Sequence, residues 1–393
     1  MVTRQLGFAL AAVLATAAAA HDHGAASPRP DMARMWQERI EKAPHLAVAA
    51  TFGDDGRLWL ARVVGGHVVI SHAAEGAAFS EPVVVNAVAE PISADGEARP
   101  RIAVVGRRVH VSWTSPLPQP FAGHIRHAVS TDGGRHFAEP ATVNDDRQPI
   151  THRFNAMLAD AEGVTIAWID KRDAVGQAGY RGAAIYTARS ADAGRSFAPN
   201  RKLADHGCEC CRLALAADRD GTPVVLWRHI FGANVRDFAL ARLGEPLRRA
   251  SEDGWAIDAC PHHGGALAID RHGGRHLAWF TGADQSPGLH YRRIDGERMT
   301  PPLPFGDPGA QAGHPAVAVD GDRVVLAWRQ YDGRQNRILA MRSPDRGDTW
   351  GAPVVLAASV GATDDPLLLV GRGAIWLAWH TADQGVRLIE AGQ

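Results

Sequence analysis

Three of the four cysteines in this chain stand within four positions of one another. They are Cys208, Cys210 and Cys211 in the segment HGCECCR (206–212), and the fourth, Cys260, stands in DACPHHGG (258–265) beside His262 and His263. Thiolate and imidazole are the ligands that Zn(II) and Cu(I) prefer in proteins. The spacing lets two or three sulfurs of the first segment reach one ion, if the fold brings the second segment beside them. These six residues are therefore predicted metal ligands.

Four cysteines can instead form two disulfides in an oxidising compartment, and the count alone leaves both alternatives open. The compartment itself is indicated by residues 1–20, MVTRQLGFALAAVLATAAAA. A basic start at Arg4, an apolar stretch and small residues at Ala18 and Ala20 are typical of a cleaved export signal. The mature protein is therefore expected in a periplasm or outside the cell.

Cleavage after Ala20 would create a second candidate metal site at the new amino terminus. The mature chain would begin HDHG, with a free amine, His21 and His23. The amine, two backbone amides and the His23 imidazole can form the square-planar nitrogen set that Cu(II) prefers. Together with the cysteine segments, this terminus favours copper over zinc as the cofactor.

The composition excludes some partners. With 42 Lys+Arg against 43 Asp+Glu, the chain lacks the basic excess that a nucleic-acid surface needs. No stretch after residue 20 has the roughly 18 consecutive apolar residues of a membrane span. We therefore expect neither nucleic acid nor a membrane span.

The elements that position these residues are predicted from a repeat of about fifty residues. Each copy has an apolar strand, a Gly/Asp turn and a second strand that carries a tryptophan. The seven repeat tryptophans are Trp59, Trp113, Trp168, Trp227, Trp279, Trp328 and Trp379. Further extended segments follow each tryptophan, which gives four short strands per copy, the size of one propeller blade. We predict an all-β propeller over residues 44–393 with seven blades, or six as the alternative, preceded by a tail and short helix at 21–43.

Three copies carry a second motif directly after their third strand. The segments are STDGGRHF (130–137), SADAGRSF (190–197) and SPDRGDTW (343–350). This Ser-x-Asp-x-Gly-x-x-aromatic pattern resembles the Asp-boxes of the BNR proteins in the sialidase-like superfamily. The resemblance implies a β-propeller with the boxes on the blade periphery. In each box we expect the Ser and Asp side chains to cap turn amides, which is a structural role.

The resemblance also implies, for a hydrolytic member, an arginine triad, an aspartate acid and a tyrosine nucleophile. Three arginines, Arg101, Arg153 and Arg212, open the first strands of successive repeats and could converge on a carboxylate. The candidates for the acid and the nucleophile are Asp170, Asp173 or Asp365, and Tyr291 or Tyr331. The family's Phe/Tyr-Arg-Ile-Pro motif is absent from this sequence, and RPRI (99–102) is the nearest stretch.

The predicted fold brings the candidate groups together, because residues just before the first strand of each blade crowd around the axis of a propeller. The leading hypothesis is an exported propeller with a Cys/His site for copper or zinc on its axial face, acting in metal binding or a redox step. A sialidase-type glycoside hydrolase is the alternative. A third possibility is a non-enzymatic module that binds a protein or a glycan. The expected axial ligand is a metal ion, a carboxylate-bearing small molecule or a glycan.

Overall fold

The computed structural model describes residues 46–392, and these residues form an all-β, propeller-like structure. The predicted signal peptide (1–20), the tail and helix (21–43) and the histidines His21 and His23 lie outside the described residues. Besides strands, the described residues contain two short 3-10 turns, Arg172–Ala174 and Pro308–Ala310. In this part of the chain there is no helix long and apolar enough to cross a membrane.

The strands follow the repeat, and each unit is an antiparallel meander. Units 1 to 3 contain β1 Ala49–Phe52, β2 Leu58–Val64, β3 His67–Ala73 and β4 Val83–Val84; β5 Arg101–Val105, β6 Arg108–Pro116, β7 Gly123–Ser130 and β8 Ala141–Thr142; β9 His152–Ala159, β10 Val164–Asp170, β11 Ala183–Ser190 and β12 Arg201–Gly207. Units 4 and 5 contain β13 Ala214–Ala217, β14 Pro223–Phe231, β15 Val235–Arg242 and β16 Arg248–Arg249; β17 Ala266–Ile269, β18 Arg275–Thr281, β19 Gly288–Asp295, β20 Arg298–Met299 and β21 Leu303–Phe305. Units 6 and 7 contain β22 Gly313–Asp320, β23 Arg323–Tyr331, β24 Asn336–Ser343 and β25 Val354–Ser359; β26 Leu367–Gly371, β27 Ala374–Thr381 and β28 Gly385–Glu390.

The first strands of the units lie side by side. In order, β1, β5, β9, β13, β17, β22 and β26 each contact the next, and β26 contacts β1. Polar contacts join the last unit to the first two: the Asp364 carboxylate accepts hydrogen bonds from Arg99, which precedes β5 (2.8 and 3.0 Å), and from the Val48 amide, which precedes β1 (3.1 Å). The first strands therefore lie side by side in chain order, with the last beside the first.

Units 3 and 4 are joined more closely than the others. Strand β12 pairs with β14 at Gly207 and His229, and the next amide, that of Cys208, donates to the Arg228 carbonyl at 2.7 Å. One hydrogen-bonded sheet therefore runs from β9 to β16, and the cysteine segment leaves directly from its middle.

The buried tryptophans pack between neighbouring sheets. Trp168 of unit 3, for example, packs with Ile125 and Val143 of unit 2, and its indole N–H donates to Asp170 at 2.8 Å. Six of the predicted repeat tryptophans occupy this position, and each is at most 1% exposed. Burial of these large aromatic side chains is the main apolar contribution that holds adjacent sheets together.

The prediction for the first repeat was wrong in register. In unit 1, Trp59 on β2 pairs with Thr51 on β1. The equivalent pair in unit 7 is Trp376 with Leu369, so Trp59 corresponds to Trp376 and not to the repeat tryptophan Trp379. Arg62 therefore stands where the other units have their tryptophan. The indole nitrogen of Trp59 is buried without a hydrogen-bond partner in the described structure, unlike the six repeat tryptophans.

The three Asp-box segments form the hairpins that their sequence predicts. In the first, the Ser130 hydroxyl donates to Asp132 at 2.8 Å and accepts from the Gly134 amide at 2.8 Å. Asp132 also accepts from the Arg135 amide at 3.0 Å. Gly134 has φ of 79°, and a Cβ there would lie 2.8 Å from the Trp59 ring, so that only glycine fits. The boxes have a structural role.

Candidate metal centre and axial pocket

A pocket of about 900 Å³ opens where the segments preceding the first strands converge. Its polar and sulfur-bearing wall residues are Asp95, Glu97, Thr151, Arg153, Lys171, Glu209, Cys210, Cys260, His262, His314, Arg329, Thr363, Asp364 and Asp365. Phe121 and Phe154 add aromatic surface. A second cavity of about 240 Å³ lies against the first strands themselves and shares Gly96 and Asp365 with the pocket. The fold therefore brings together residues that are far apart in sequence.

Three cysteine sulfurs form a compact triangle beside this pocket. The Sγ of Cys208 lies 3.5 Å from that of Cys210 and 3.8 Å from that of Cys211, and the remaining side measures 3.9 Å. The three residues are 1%, 5% and 1% exposed, in chain order. The centre of this triangle lies about 2.2 Å from each sulfur, close to the 2.3 Å of a metal–thiolate bond. The triangle therefore fits a single soft metal ion.

The surroundings favour a thiolate at this site. Thiol groups of Cys210 and Cys211 face the Cys208 sulfur, and Arg236 donates to it at 3.1 Å. The hydrogen bonds from Cys210 and Cys211 lower the pKa of Cys208 most, and the positive charges of Arg236 and Arg228 lower it further. Burial raises the pKa, but these effects outweigh it and hold the pKa well below its usual range. The pKa values of Cys210 and Cys211 are raised, because they share their protons with the same anion and are buried. The surroundings therefore favour the thiolate form at Cys208 over Cys210 and Cys211.

A second ligand set overlaps the first. One ligand atom each from Cys210, Cys260 and His262 lies within 4.8 Å of the other two, and both Cys260 and His262 are exposed. A hydrogen bond with Cys210 lowers the pKa of Cys260. Cys210 is therefore common to a buried set of three sulfurs and an exposed set of two sulfurs and one imidazole.

The disulfide alternative is not what the structure contains. All four cysteines are free thiols, and the shortest measured Sγ separation, 3.5 Å, is far longer than the ~2.05 Å of an S–S bond. Cys208 and Cys211 instead lie close to Cys210, and Cys210 lies close to Cys260 and His262 in the pocket wall.

His263 lies apart from the cysteine sets. Its ring stacks on Phe280 at 4.3 Å and lies 4.5 Å from the ring of His314. Burial, reinforced by His314, lowers the pKa of His263 to about 3, so that it is neutral at physiological pH. His263 is therefore placed to pack beneath the pocket, whereas His262 reaches its wall.

A charged cluster lies in the pocket wall next to the cysteine and histidine segments. His314 Nδ1 lies 3.3 Å from the Glu97 carboxylate and 3.1 Å from that of Asp365. Glu97 also accepts from the guanidinium and amide of Arg212, and the Gly264 amide donates to it at 2.9 Å. Burial opposes ionisation of Glu97, but Arg212 and His314 outweigh it and hold its pKa well below the usual range. The Nδ1 atom of His314 therefore faces both carboxylates.

The three predicted arginines have different environments. Arg101 and Arg212 line the smaller cavity, where Arg101 donates to the Asn155 carbonyl at 2.9 Å and Arg212 pairs with Glu97 at 2.8 Å. Arg153 lines the larger pocket and stacks over Phe154 at 4.9 Å. They therefore do not share one cavity.

The predicted acid and nucleophile residues are spread over the structure. Asp365 lines the pocket, whereas Asp170 is fully buried beside Trp168 and Arg172, and Asp173 accepts from Tyr186 at 3.0 Å. Tyr291 is buried against the third Asp-box, where its hydroxyl contacts His276 at 2.7 Å, and Tyr331 ends β23 with 38% exposure. Of these five, only Asp365 belongs to the wall of the described pocket.

Sequence reasoning missed Glu97 and Arg236, although one signal could have identified the first. Glu97, Cys210 and His262 each precede by four positions the first residue of an inner strand, at Arg101, Ala214 and Ala266. The common offset places all three at the pocket. Arg236 gave no such signal, because it lies at the start of β15 and reaches Cys208 only through the packing of unit 4.

Backbone strain is concentrated at the same pocket. Phe121, Phe154, His262 and His314 all have positive φ, between 51° and 60°, although none is glycine. Such conformations cost of order 1–3 kcal/mol each and cluster at functional sites. All four residues line the pocket, which supports a binding role for it.

Comparisons with known proteins show that the fold is shared with solved structures. No family model and no curated protein sequence matches this chain. Among solved structures, the BP39L lectin from Burkholderia pseudomallei is similar, with a TM-score of 0.57, 13% identity, and coverage of 88% of this chain and 98% of that chain. A polysaccharide lyase, the PL25 ulvan lyase, has a TM-score of 0.57 at 11% identity, with coverage of 87% and 91%. An α-L-arabinanase from Penicillium chrysogenum, complexed with arabinobiose, has a TM-score of 0.50 at 12% identity, with coverage of 77% and 94%. At these identities the similarity establishes a shared fold only.

Proposed function

We propose that this protein binds a soft transition-metal ion at Cys208, Cys210 and Cys211, with Cu(I) as the first choice and Zn(II) as the alternative. The observation that carries the proposal is the buried triangle of three sulfurs, 3.5 to 3.9 Å apart, with Arg236 beside one of them. Three sulfurs held this closely, and free of a disulfide, form a ready-made set of soft ligands. A bound ion would neutralise the thiolates and satisfy all three sulfurs.

The ligand count favours Cu(I) over Zn(II). Structural zinc sites are almost always four-coordinate, with all four ligands from the protein. In the part of the chain that the structure describes, no fourth Cys, His, Asp or Glu lies within 4.8 Å of all three sulfurs. A three-sulfur set suits Cu(I), which soft thiolates select.

The proposal includes the setting of this site. We infer that the seven units are seven blades of a closed ring, supported by the contact of β26 with β1 and by the hydrogen bond from the Val48 amide to Asp364 across that junction. We also propose that residues 1–20 export the chain and that the Asp-boxes mark it as a relative of the sialidase-like proteins. In an oxidising compartment, a bound metal would keep the three thiols from forming disulfides.

The test measures metal stoichiometry and the ligand type. The full chain is purified without chelator or histidine tag, and its copper and zinc are quantified by mass spectrometry. The apo protein is then titrated anaerobically with Cu(I) against a chromophoric Cu(I) chelator. We expect one equivalent per chain, sulfur ligation in the X-ray absorption spectrum, and loss of this tight site in Cys208→Ser and Cys211→Ser.

The control is His136→Ala, which removes an exposed imidazole of an Asp-box and should bind like the wild type. The proposal is refuted if folded wild-type protein takes up no stoichiometric Cu(I) or Zn(II), and its thiols react with an alkylating reagent at the same rate with and without metal.

A second candidate function, binding of a carboxylate-bearing glycan, is favoured by the pocket itself. Its volume of about 900 Å³ is at the upper end of the usual range for ligand sites. Arg153 lies in its wall over Phe154, and its guanidinium makes no hydrogen bond or ion pair among those found in the described chain. The three structural neighbours are a lectin, a polysaccharide lyase and an arabinanase, which supports a glycan as the ligand class.

This second function is tested with acidic oligosaccharides on an array and with a fluorogenic sialoside. We expect saturable binding of an acidic glycan that is lost in Arg153→Ala and retained in His136→Ala. Turnover of the sialoside would extend the proposal to the sialidase-type reaction. Binding that is equal in wild type and Arg153→Ala would remove the pocket as the glycan site.

A further inference from the structure

The two cysteine sets differ in exposure and share one ligand. We call Cys208, Cys210 and Cys211 the inner set, and Cys210, Cys260 and His262 the outer set. Every member of the inner set is buried, whereas two members of the outer set are exposed. Within each set the ligand atoms lie no more than 4.8 Å apart. An ion bound by either set is therefore within a few ångströms of the ligands of the other.

The pocket reaches the two sets unequally. Cys210, Cys260 and His262 belong to its wall, whereas Cys208 and Cys211 do not contribute to the wall among the described residues. An ion that arrives through the pocket therefore meets the outer set first. Of the inner set, Cys210 is the member in the pocket wall among the described residues, and an ion at the outer set is already bound to it.

We propose that the outer set is the entry site, and that the metal passes from it to the inner set by ligand exchange on the shared Cys210. This inference rests on the proposed metal-binding function and adds to it the route by which the metal is loaded. It assigns Cys260 and His262 a role in the rate of binding and not in the final complex.

The exchange is balanced without any redox change. Cu(I) bound by Cys210, Cys260 and His262 keeps its bond to Cys210 throughout. The bonds to Cys260 and His262 break as bonds to Cys208 and Cys211 form, and a thiol that still carries its proton releases it on binding. The departing Cys260 thiolate and the imidazole return to solvent, where the thiolate takes up a proton. The oxidation state of copper stays the same.

The loop that carries the outer set is anchored at the inner set. This loop spans residues 250–265 between β16 and β17, a length that is uncommon unless the loop is functional. Arg236 donates to the Ile257 carbonyl at 3.0 Å and to the Cys208 sulfur at 3.1 Å. The Gly264 amide, at the other end, donates to Glu97. Both ends are fixed while Cys260 and His262 face the pocket, which holds the two sets in register.

The test separates the rate of loading from the final affinity. Apo protein is mixed with the Cu(I)–bicinchoninate complex in a stopped-flow instrument, and loss of the coloured complex is followed. For Cys260→Ser, His262→Ala and the double variant, we expect loading to slow by about tenfold or more, on the scale of the effects that changes around a metal site produce. The final stoichiometry stays at one, and the equilibrium affinity falls by less than the ~10-fold that loss of a partner of the finally bound ion would cause. His136→Ala is the matched control and should load like the wild type.

A second measurement tests the outer set directly. In the Cys208→Ser/Cys211→Ser variant the inner set is removed, and we expect weaker binding of one Cu(I) with two sulfurs and one nitrogen in the X-ray absorption spectrum. Adding Cys260→Ser should abolish that binding. If the wild type binds no metal, the proposed function fails. If it binds metal but the outer variants load at the wild-type rate, or the inner-set variant shows no mixed sulfur and nitrogen ligation, the entry route is refuted and the function stands.

Discussion

Arg99, two residues before β5, pairs with Asp364 ahead of β26 and donates to the Val48 carbonyl ahead of β1. This ion pair therefore offers a direct test of how the last unit is held to the first two. Both residues are 4% exposed, and two hydrogen bonds of 2.8 and 3.0 Å join them. Asp364 also accepts from the amides of Val48 and Asp365. Burial is the main cause that raises the pKa of Asp364 to about 6. The positive charge of Arg99 opposes this rise, and the negative charge of Asp365 adds to it. At pH 8 the carboxylate is therefore ionised, and the pair is complete.

Replacing Asp364 with alanine leaves Arg99 buried without its counter-charge. Breaking one side of a buried ion pair costs about 3–5 kcal/mol, and a stranded buried amide such as that of Val48 adds about 1–3 kcal/mol. We expect the free energy of unfolding at pH 8 to fall by about 4 kcal/mol or more, measured by urea denaturation with tryptophan fluorescence. The exposed pair of Asp322 with Arg271 is the matched control, and Asp322→Ala should cost less than about 1 kcal/mol.

The double variant Arg99→Met/Asp364→Leu decides between a charge effect and a packing effect. If the cost arises from an uncompensated charge, the double variant recovers most of the stability, because apolar replacement of a buried pair is often close to neutral. A loss below about 1 kcal/mol for Asp364→Ala, or a double variant whose loss equals the sum of the two single losses, would refute the reasoning.

Three further outcomes are expected. Arg236→Met should shift the alkylation of Cys208 to higher pH, because the donor and positive charge that lower its thiol pKa are lost; an unchanged pH–rate profile by mass spectrometry would contradict this. The pKa of Glu97 is lowered in the folded state, so its ionised carboxylate stabilises the fold above its unfolded pKa, and this stabilisation is lost as the pH falls below about 4.5. In Glu97→Gln, the melting temperature should therefore fall less steeply with decreasing pH than in the wild type, as measured by thermal melts. Gly134→Ala should lower the free energy of unfolding by about 1–3 kcal/mol, because the new Cβ would overlap the Trp59 ring and the residue has a positive φ. The control Gly133→Ala has open space around its Cβ, so its cost should arise from the positive φ alone.

The sequence predicts the fold well because the repeated tryptophan reflects the packing between neighbouring sheets. Each unit buries a tryptophan between two sheets, and that requirement recurs at a nearly fixed interval. The error at Trp59 has the same origin. Two tryptophan positions exist in the unit, three residues apart, and unit 7 fills both with Trp376 and Trp379. Unit 1 fills only the earlier one, so a search for any tryptophan misplaces its register.

The candidate site was predictable only in part. Alignment of the repeats places Cys210, Cys260 and His262 at one pocket, because their offset from an inner strand is a property of the chain. Whether the cysteine sulfurs form disulfides or surround a metal site depends on differences of about 1–2 Å in their separations. The spacing of the repeats in the sequence does not determine distances this small. Contacts such as Arg236 with Cys208 arise from side-chain packing between β15 and the cysteine loop.

The continuous sheet of units 3 and 4 has a consequence for which ion the protein would select. Because Cys208 follows β12 directly and its amide is bonded to the Arg228 carbonyl on β14, one corner of the sulfur triangle is fixed to the sheet, while Cys210 and Cys211 follow in the short loop before β13. A larger soft ion at the proposed site would have to displace Cys210 and Cys211 away from that fixed corner. Small soft ions would fit the triangle of 3.5 to 3.9 Å without that movement, which favours them over bulkier ions of similar chemistry.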